Sequence, residues 1–318
     1  CNMFEKKIDK SKIKTWFVTG ASSGIGKELC AQLLNRGYNV IAVARRVPKF
    51  EDCNALNLSV DVTDAEDVEN AIKKGIEHFG SIDVLANIAG VGSYLSFEEE
   101  SPQEMRNVME VNFWGAYNTC HSLISHFREN KNGTILNMSS GSGLAPRAFG
   151  AAYCSSKYAL EGLSSVLWME TKRFCRVVTV EIAKFFGTEI GKDKPHGITK
   201  YDEYKNISWV NSKCKDQKNT NKLEKAVQYM IDEVEKEKPQ RRLLLGKEII
   251  GRVQFEAESI LKDLKKSKSR AYACAKDEQV YIAEKCDYVV VNFWNTVNYG
   301  ASLTAWAIQK LVESFGFS

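Results

Sequence analysis

A doubly wound parallel α/β sheet with helices on both faces is the fold this sequence predicts, and two observations predict it. Apolar runs of strand length alternate with longer stretches of helical spacing along most of the chain. A glycine-rich turn, Gly20-Ala21-Ser22-Ser23-Gly24-Ile25-Gly26, stands between the first strand and the first helix. Strand, helix, strand in regular order implies right-handed crossovers, and it places a ligand crevice at the strand C-termini.

The strand candidates are Thr15–Val18, Val40–Ala44, Leu56–Val60, Val84–Ala86, Thr134–Met138, Val177–Ile182 and Arg242–Leu245. Lys27 to Arg36 has helical spacing, with Leu29, Leu33 and Leu34 on one side and Gly37 as its stop. Asp64 reads as the N-cap of a helix ending near Phe79, and Ser101-Pro102 as a cap with proline in the first turn. Residues 1–265 read as one domain and 266–318 as a C-terminal extension packing on that domain or at a subunit interface. Beyond Gly251, Arg252 to Lys268 has the pattern of an amphipathic helix ending in a basic cluster. The uncharged run Tyr288 to Gln309 carries Asn292, Asn295, Asn298 and Gln309, which are costly in hydrocarbon, so no membrane span is expected.

With 318 residues, 44% apolar and 26% charged, the chain can bury a sizeable core. Its net charge of +4 comes without a dense patch of one sign, which argues against nucleic-acid or membrane-surface partners. Nine cysteines without Cys-x-x-Cys spacing and only four histidines give no metal site. They fit free thiols in a reducing cytosol, and the N-terminal Cys1 to Lys7 has no apolar stretch of the signal-peptide kind, so a cytoplasmic protein is expected.

Two motifs carry chemistry. A glycine turn between strand and helix brings backbone N–H groups and the positive helix end against a phosphate. Here Gly20 permits the tight turn, Gly24 the approach of a pyrophosphate and Gly26 the close packing of helix on strand. The spacing is Gly-x-x-x-Gly-x-Gly, and an ordinary turn of small residues would share it. Further along, Tyr153 and Lys157 lie four residues apart, hence on one helix face. A neighbouring ammonium favours the phenolate and draws the tyrosine from its free value of ~10 towards neutral pH.

Thr19-Gly20-Ala21-Ser22-Ser23-Gly24-Ile25-Gly26 together with Tyr153-x-x-x-Lys157 resembles the short-chain dehydrogenase/reductase family. Asp61-Val62, Asn87-Ile88-Ala89-Gly90, Asn112 within Val111–Gly115, and Ser139-Ser140 follow in the family's order, over roughly Lys14 to Gly251. The resemblance implies a Rossmann-like sheet and hydride transfer between a nicotinamide cofactor and a small-molecule carbonyl/alcohol substrate. Tyr153 would be the general acid/base, and Ser140 would orient the substrate oxygen. Lys157 would depress the Tyr153 pKa and hold the nicotinamide ribose, and Asn112 would hold a water that passes protons to Lys157. Gly20, Ser22, Ser23, Gly24, Ile25 and Gly26 would cradle the phosphates. Asp61 and Val62 would hold the adenine edge, and Asn87, Ala89 and Gly90 the adenosine ribose side.

The choice of cofactor turns on the end of the second strand. An acidic residue there would accept from ribose hydroxyls of NAD. Arg45 and Arg46 stand there instead, and guanidinium forks bind phosphate, which favours NADP(H) over two merely exposed arginines. The family's Pro-Gly after the sixth strand is replaced by Ala183-Lys184, while Thr188 holds the position expected to contact the nicotinamide carboxamide. Lys184 is either a contact for an anionic substrate or a solvent-facing lysine. Gly191 to Asn221 takes the place of a substrate lid, and Leu144, Phe149, Phe185 and Phe186 suggest a moderately hydrophobic substrate. The expectation is therefore an NADP(H)-dependent oxidoreductase, assembled as a homodimer or homotetramer through the helices holding Asn112 and Tyr153. The alternative is a non-catalytic NADP(H)-sensing interaction protein.

Overall fold

The computed structural model describes residues 14–183, 199–205, 207 and 222–274. Seven strands, β1 (Thr15–Thr19), β2 (Asn39–Ala44), β3 (Ala55–Ser59), β4 (Val84–Asn87), β5 (Thr134–Met138), β6 (Arg176–Ile182) and β7 (Arg242–Leu245), form one sheet in the order β3-β2-β1-β4-β5-β6-β7. Every pairing is parallel. The helices are α1 (Gly24–Asn35), α2 (Ala65–Phe79), α3 (Pro102–Met109), α4 (Gly115–Asn130), α5 (Ala151–Thr171), α6 (Leu223–Glu235) and α7 (Lys247–Ala273). The predicted strands are all present, shifted by at most a residue at either end: β1 and β2 are continuous apolar runs of the kind a sheet covered on both faces demands, while the edge strand β3 alternates Leu56 and Leu58 with Asn57 and Ser59.

The pleat divides the core into two layers. Trp16 and Val18 of β1 point into one, with Leu29 and Leu33 of α1 and Val227, Met230 and Ile231 of α6. Phe17, between them, points into the other, with Val68 and Ile72 of α2 and Leu123 and Phe127 of α4. The caps act as expected. Asp64 accepts from Glu66 N–H at 2.9 Å and Asp67 N–H at 3.2 Å. Ser101 accepts from Glu104 N–H at 3.1 Å, and Gly37 leaves α1 at φ 78°.

Two local departures have physical causes. Helix α1 starts at Gly24, three residues before the apolar spacing becomes visible, because glycines carry no hydrophobic signal. Between α3 and α4 the helix widens into a π-turn over Glu110–Trp114, a feature that apolar periodicity does not encode. Helix α7 is longer than the predicted Arg252–Lys268. The chain divides into two compact units between Glu256 and Ala257, inside this helix, and Ala257 to Cys274 are exposed. Among the described residues no helix is long and apolar enough to cross a membrane. The run Tyr288 to Gln309 lies outside the described residues.

Candidate active site

The strand order reverses between β1, which leads outward to β2, and β4, which leads the other way, so their C-terminal ends open the crevice in which doubly wound sheets bind ligands. Gly20, at φ 68°, sits there so close to β4 that a Cβ would lie 2.9 Å from backbone atoms of Ala89. A Cβ on Gly26 would lie 2.4 Å from the Gly20 carbonyl oxygen. These two positions require glycine. Thr19 ties the same corner together, its hydroxyl accepting from Ile88 N–H at 2.9 Å and Ala89 N–H at 3.0 Å. Ser23 caps α1 in extended conformation without a side-chain cap bond, and the first turn has no acidic residue. The first-turn N–H groups thus keep their capacity for an anion, and the cradle fits the pyrophosphate of a dinucleotide.

Around this turn the other predicted cofactor positions divide by how their polar groups are used. Arg45 and Arg46 are exposed at the C-terminal end of β2, where the Ser59 hydroxyl donates to the Arg45 carbonyl at 3.0 Å. Asp61 holds its own turn, accepting from Thr63 N–H at 3.0 Å and from the Thr63 hydroxyl at 2.8 Å. Val62 packs against Gly115, and its carbonyl accepts from Asn118 at 3.0 Å. Asn87 is buried and faces α4 and β5, donating to Asn137 Oδ1 at 2.9 Å and accepting from the Thr119 hydroxyl at 2.6 Å. Its side chain braces the sheet, which leaves its backbone for the ribose side. Thr188, Lys184, Phe185 and Phe186 lie outside the described residues.

One face of α5 brings the catalytic candidates together. Tyr153 is buried and hydrogen-bonded to Ser140, which follows β5 and also accepts from Ser142 N–H at 3.1 Å. Lys157 Nζ lies 5.9 Å from the centre of the Tyr153 ring and donates to the Met138 carbonyl at 2.7 Å. A Cβ on Gly90 would sit 3.3 Å from Asn112 Oδ1 and 3.7 Å from Lys157 Nζ, so these groups share one wall. The π-turn points Asn112 inward, where it donates to the Val91 carbonyl and to the Ser156 hydroxyl, both at 2.9 Å, and accepts from Val91 N–H at 2.8 Å. Both amide protons are used, so a second lone pair on Oδ1 is the remaining capacity for a water.

The electrostatics depart from the simple expectation. Burial raises the Tyr153 pKa above that of a free phenol. The opposing influences are the Ser140 hydrogen bond and the positive charges of Arg147 and Arg252 rather than Lys157. Burial likewise lowers the Lys157 pKa to about 8, against the nearby Glu161 carboxylate, which raises it. A lysine so lowered stays mostly charged at pH 7 and loses its proton readily above pH 8.

Sequence reasoning missed several groups that build this site. Tyr94 stacks beside Tyr153, with ring centres 5.6 Å apart, and Arg147 lies over Tyr94 at 5.2 Å. Behind Lys157, Glu161 of α5 and Glu181 of β6 are buried against Arg242 of β7, whose Nε is 3.1 Å from Glu161 Oε2 and 3.7 Å from Glu181 Oε1. Burial and the Glu161 charge raise the Glu181 pKa far above the usual carboxylate range. The folded state therefore holds a proton that the unfolded state has released, so stability falls as pH rises above the ordinary glutamate value of ~4.3. Glu181→Gln removes this dependence. Its thermal stability should exceed wild type at pH 8 by about 1–3 kcal/mol, and the difference should vanish towards pH 4. A difference independent of pH would contradict the shared proton.

The replacement of Pro-Gly also has a visible reason. Ala183 N–H donates to the Leu245 carbonyl at 2.9 Å, extending the pairing of β6 with β7 by a bond that proline could not make.

Residues 14–197 match the short chain dehydrogenase family. The chain belongs to that family. An uncharacterized oxidoreductase of Schizosaccharomyces pombe is 31% identical over 85% of this chain and 94% of its own length. The NADPH-dependent pterin aldehyde reductase of Arabidopsis thaliana is 34% identical over 52% of this chain and 73% of its own. The crystal structure of a short-chain dehydrogenase from Streptomyces avermitilis superposes with a TM-score of 0.75 at 28% identity, covering 83% of this chain and all of that one. As a short-chain dehydrogenase the chain is a nucleotide-binding oxidoreductase of the NAD(P)(H) type, acting on an alcohol/carbonyl pair of a small molecule.

Proposed function

We propose that this dehydrogenase uses NADP(H) to interconvert a carbonyl and an alcohol, with Tyr153 as general acid/base. The observation that carries the reading is the burial of Tyr153 and Lys157 on one face of α5, with Ser140 bonded to the phenol beside the glycine turn. When bound, the dinucleotide would supply a hydride for the carbonyl carbon in the reductive direction. As negative charge builds on the carbonyl oxygen, Ser140 orients that oxygen and Tyr153 gives it the phenolic proton. Lys157 would then help to restore the proton, and its pKa of about 8 suits exchange near neutral pH. Gly20, Ser22, Ser23, Gly24, Ile25 and Gly26 would hold the phosphates, Asp61 and Val62 the adenine edge, and Ala89 and Gly90 the ribose side. Thr188 remains the proposed contact for the carboxamide.

Arg45 and Arg46 support NADP(H), since no carboxylate stands at the end of β2 to repel a 2′-phosphate. The name of the Arabidopsis relative points the same way. Exposed Tyr117 on α4 and Val166 and Met169 on α5 support a homodimer or homotetramer joined through these helices. The free thiols, four of them buried among the described residues, suit a cytosolic protein.

Comparison of kcat/KM for NADPH and NADH tests the cofactor reading. Wild type should prefer NADPH, and Arg45→Ala with Arg46→Ala should lower that preference about tenfold or more, as the loss of charge-assisted hydrogen bonds implies. A preference for NADH would overturn it.

A further inference from the structure

Two arginines from distant parts of the chain converge on the carbonyl site. Arg147, between β5 and α5, stacks on Tyr94 and hydrogen-bonds it, and Tyr94 in turn packs on Tyr153. Arg252, on the second turn of α7, lays its guanidinium on Gly141, the residue after Ser140, so closely that a Gly141 Cβ would be 2.6 Å from Nη2. Its Nε is buried and has no hydrogen-bond partner among the described residues. The two guanidinium charges reach each other as well as Tyr153, which lowers the pKa of Arg252 beyond the effect of burial.

The adjoining space is suited to an apolar body. A cavity of about 260 Å³ is lined by Ser96, Phe97, Arg147, Phe149, Tyr204 and Ile207, among others, and no lining residue is acidic. Phe149 is held in the left-handed region at φ 58° and meets Tyr204 edge-on at 6.1 Å. An L-residue other than Asn or Asp seldom adopts that conformation, and such strain collects where a ligand is shaped. The groups facing Tyr153 are then Ser140, Tyr94, Cys154, Lys157, Arg147 and Arg252.

We propose that the substrate is a ketone or aldehyde bearing a carboxylate near its carbonyl, received by Arg252 and Arg147, with its apolar remainder in the cavity lined by Phe97 and Phe149. A guanidinium fork matches a carboxylate in plane and can donate two parallel hydrogen bonds, and the unpartnered Nε of Arg252 supplies one donor. The inference rests on the assignment of Ser140 and Tyr153 as the carbonyl site.

The test compares benzoylformate, 3-benzoylpropionate and 4-benzoylbutyrate with their methyl esters, reading NADPH oxidation. A charge-assisted hydrogen bond contributes about 1.5–3 kcal/mol, so at least one acid should exceed its ester in kcat/KM by about tenfold or more. That ratio should fall about tenfold in Arg252→Leu and in Arg147→Leu, and only in part in Arg252→Lys. Taking the ratio cancels any change in Tyr153 acidity, which acid and ester share. The exposed Arg147 offers a variant with little risk to folding if Arg252→Leu is unstable. Esters that equal or exceed every acid in wild type, or a ratio unchanged in both Leu variants, would overturn the proposal. A wild type that turns over neither acids nor esters would count against the oxidoreductase reading. The anion site would then be read by calorimetric titration of 3-benzoylpropionate into the NADPH-saturated protein. Binding weakened by both Leu variants would support it, and no binding would overturn it.

Discussion

Tyr153→Phe is expected to cut carbonyl turnover by about 10²–10⁴, the range for loss of a general acid, while NADPH affinity stays close to wild type. Phenylalanine keeps the ring that packs on Tyr94 and removes the hydroxyl that Ser140 engages. The fold should lose only about 1 kcal/mol, typical of one hydrogen bond. Unequal effects on chemistry and on binding separate an acid/base from a residue that merely shapes the pocket. The measurement is steady-state turnover beside direct cofactor titration of the same preparation. Turnover unchanged in the mutant would remove Tyr153 from the mechanism.

The second large effect is expected at Gly26. In Gly26→Ala the new Cβ meets the carbonyl oxygen of Gly20 at 2.4 Å and its carbon at 2.7 Å, both main-chain atoms that no rotamer change can move aside. Helix α1 must shift away from the turn it joins, costing about 1–3 kcal/mol by overpacking. The N–H groups aimed at the phosphates move with it, so NADPH should bind at least about tenfold more weakly. Gly162→Ala on α5 is the control: its Cβ meets nothing within 4 Å, and replacing a helical glycine should stabilise by about 0.5–1 kcal/mol. Equal cofactor affinity in Gly26→Ala and wild type would mean that this turn does not hold the phosphates.

Much of this architecture was legible because the relevant signals are local. A strand buried on both faces reads as an apolar run whatever its partners, and the half-buried edge strand β3 reads as an alternation, so the strands could be placed without knowing their order. Tyr153 and Lys157 were legible for a similar reason, since helical spacing alone puts them on one face. The π-turn at Asn112 left no such trace, because widening by one residue changes hydrogen bonding rather than composition. Arg252 and Glu181 were invisible as site residues. Arg252 reaches the α5 region from α7 and Glu181 from the interior of β6, and nothing near either in sequence announces the meeting. The electrostatics of Tyr153 have the same origin: pairing with Lys157 is local and favours a lowered pKa, whereas burial is set by the whole fold and raises it. Asn87 was legible as a motif residue, but that its side chain braces β4 against β5 and α4 was not, because those partners come from distant parts of the chain.

Transfer of the isotope from [4-²H]NADPH tests the central claim most directly. The purified protein is incubated with that cofactor and a panel of ketones and aldehydes, and the products are analysed by mass spectrometry and NMR. The account predicts deuterium on the carbinol carbon from one face of the nicotinamide, with transfer abolished or nearly so in Tyr153→Phe. Tight NADPH binding with no deuterium transferred to any carbonyl compound would contradict it and favour a protein that senses the cofactor without using it.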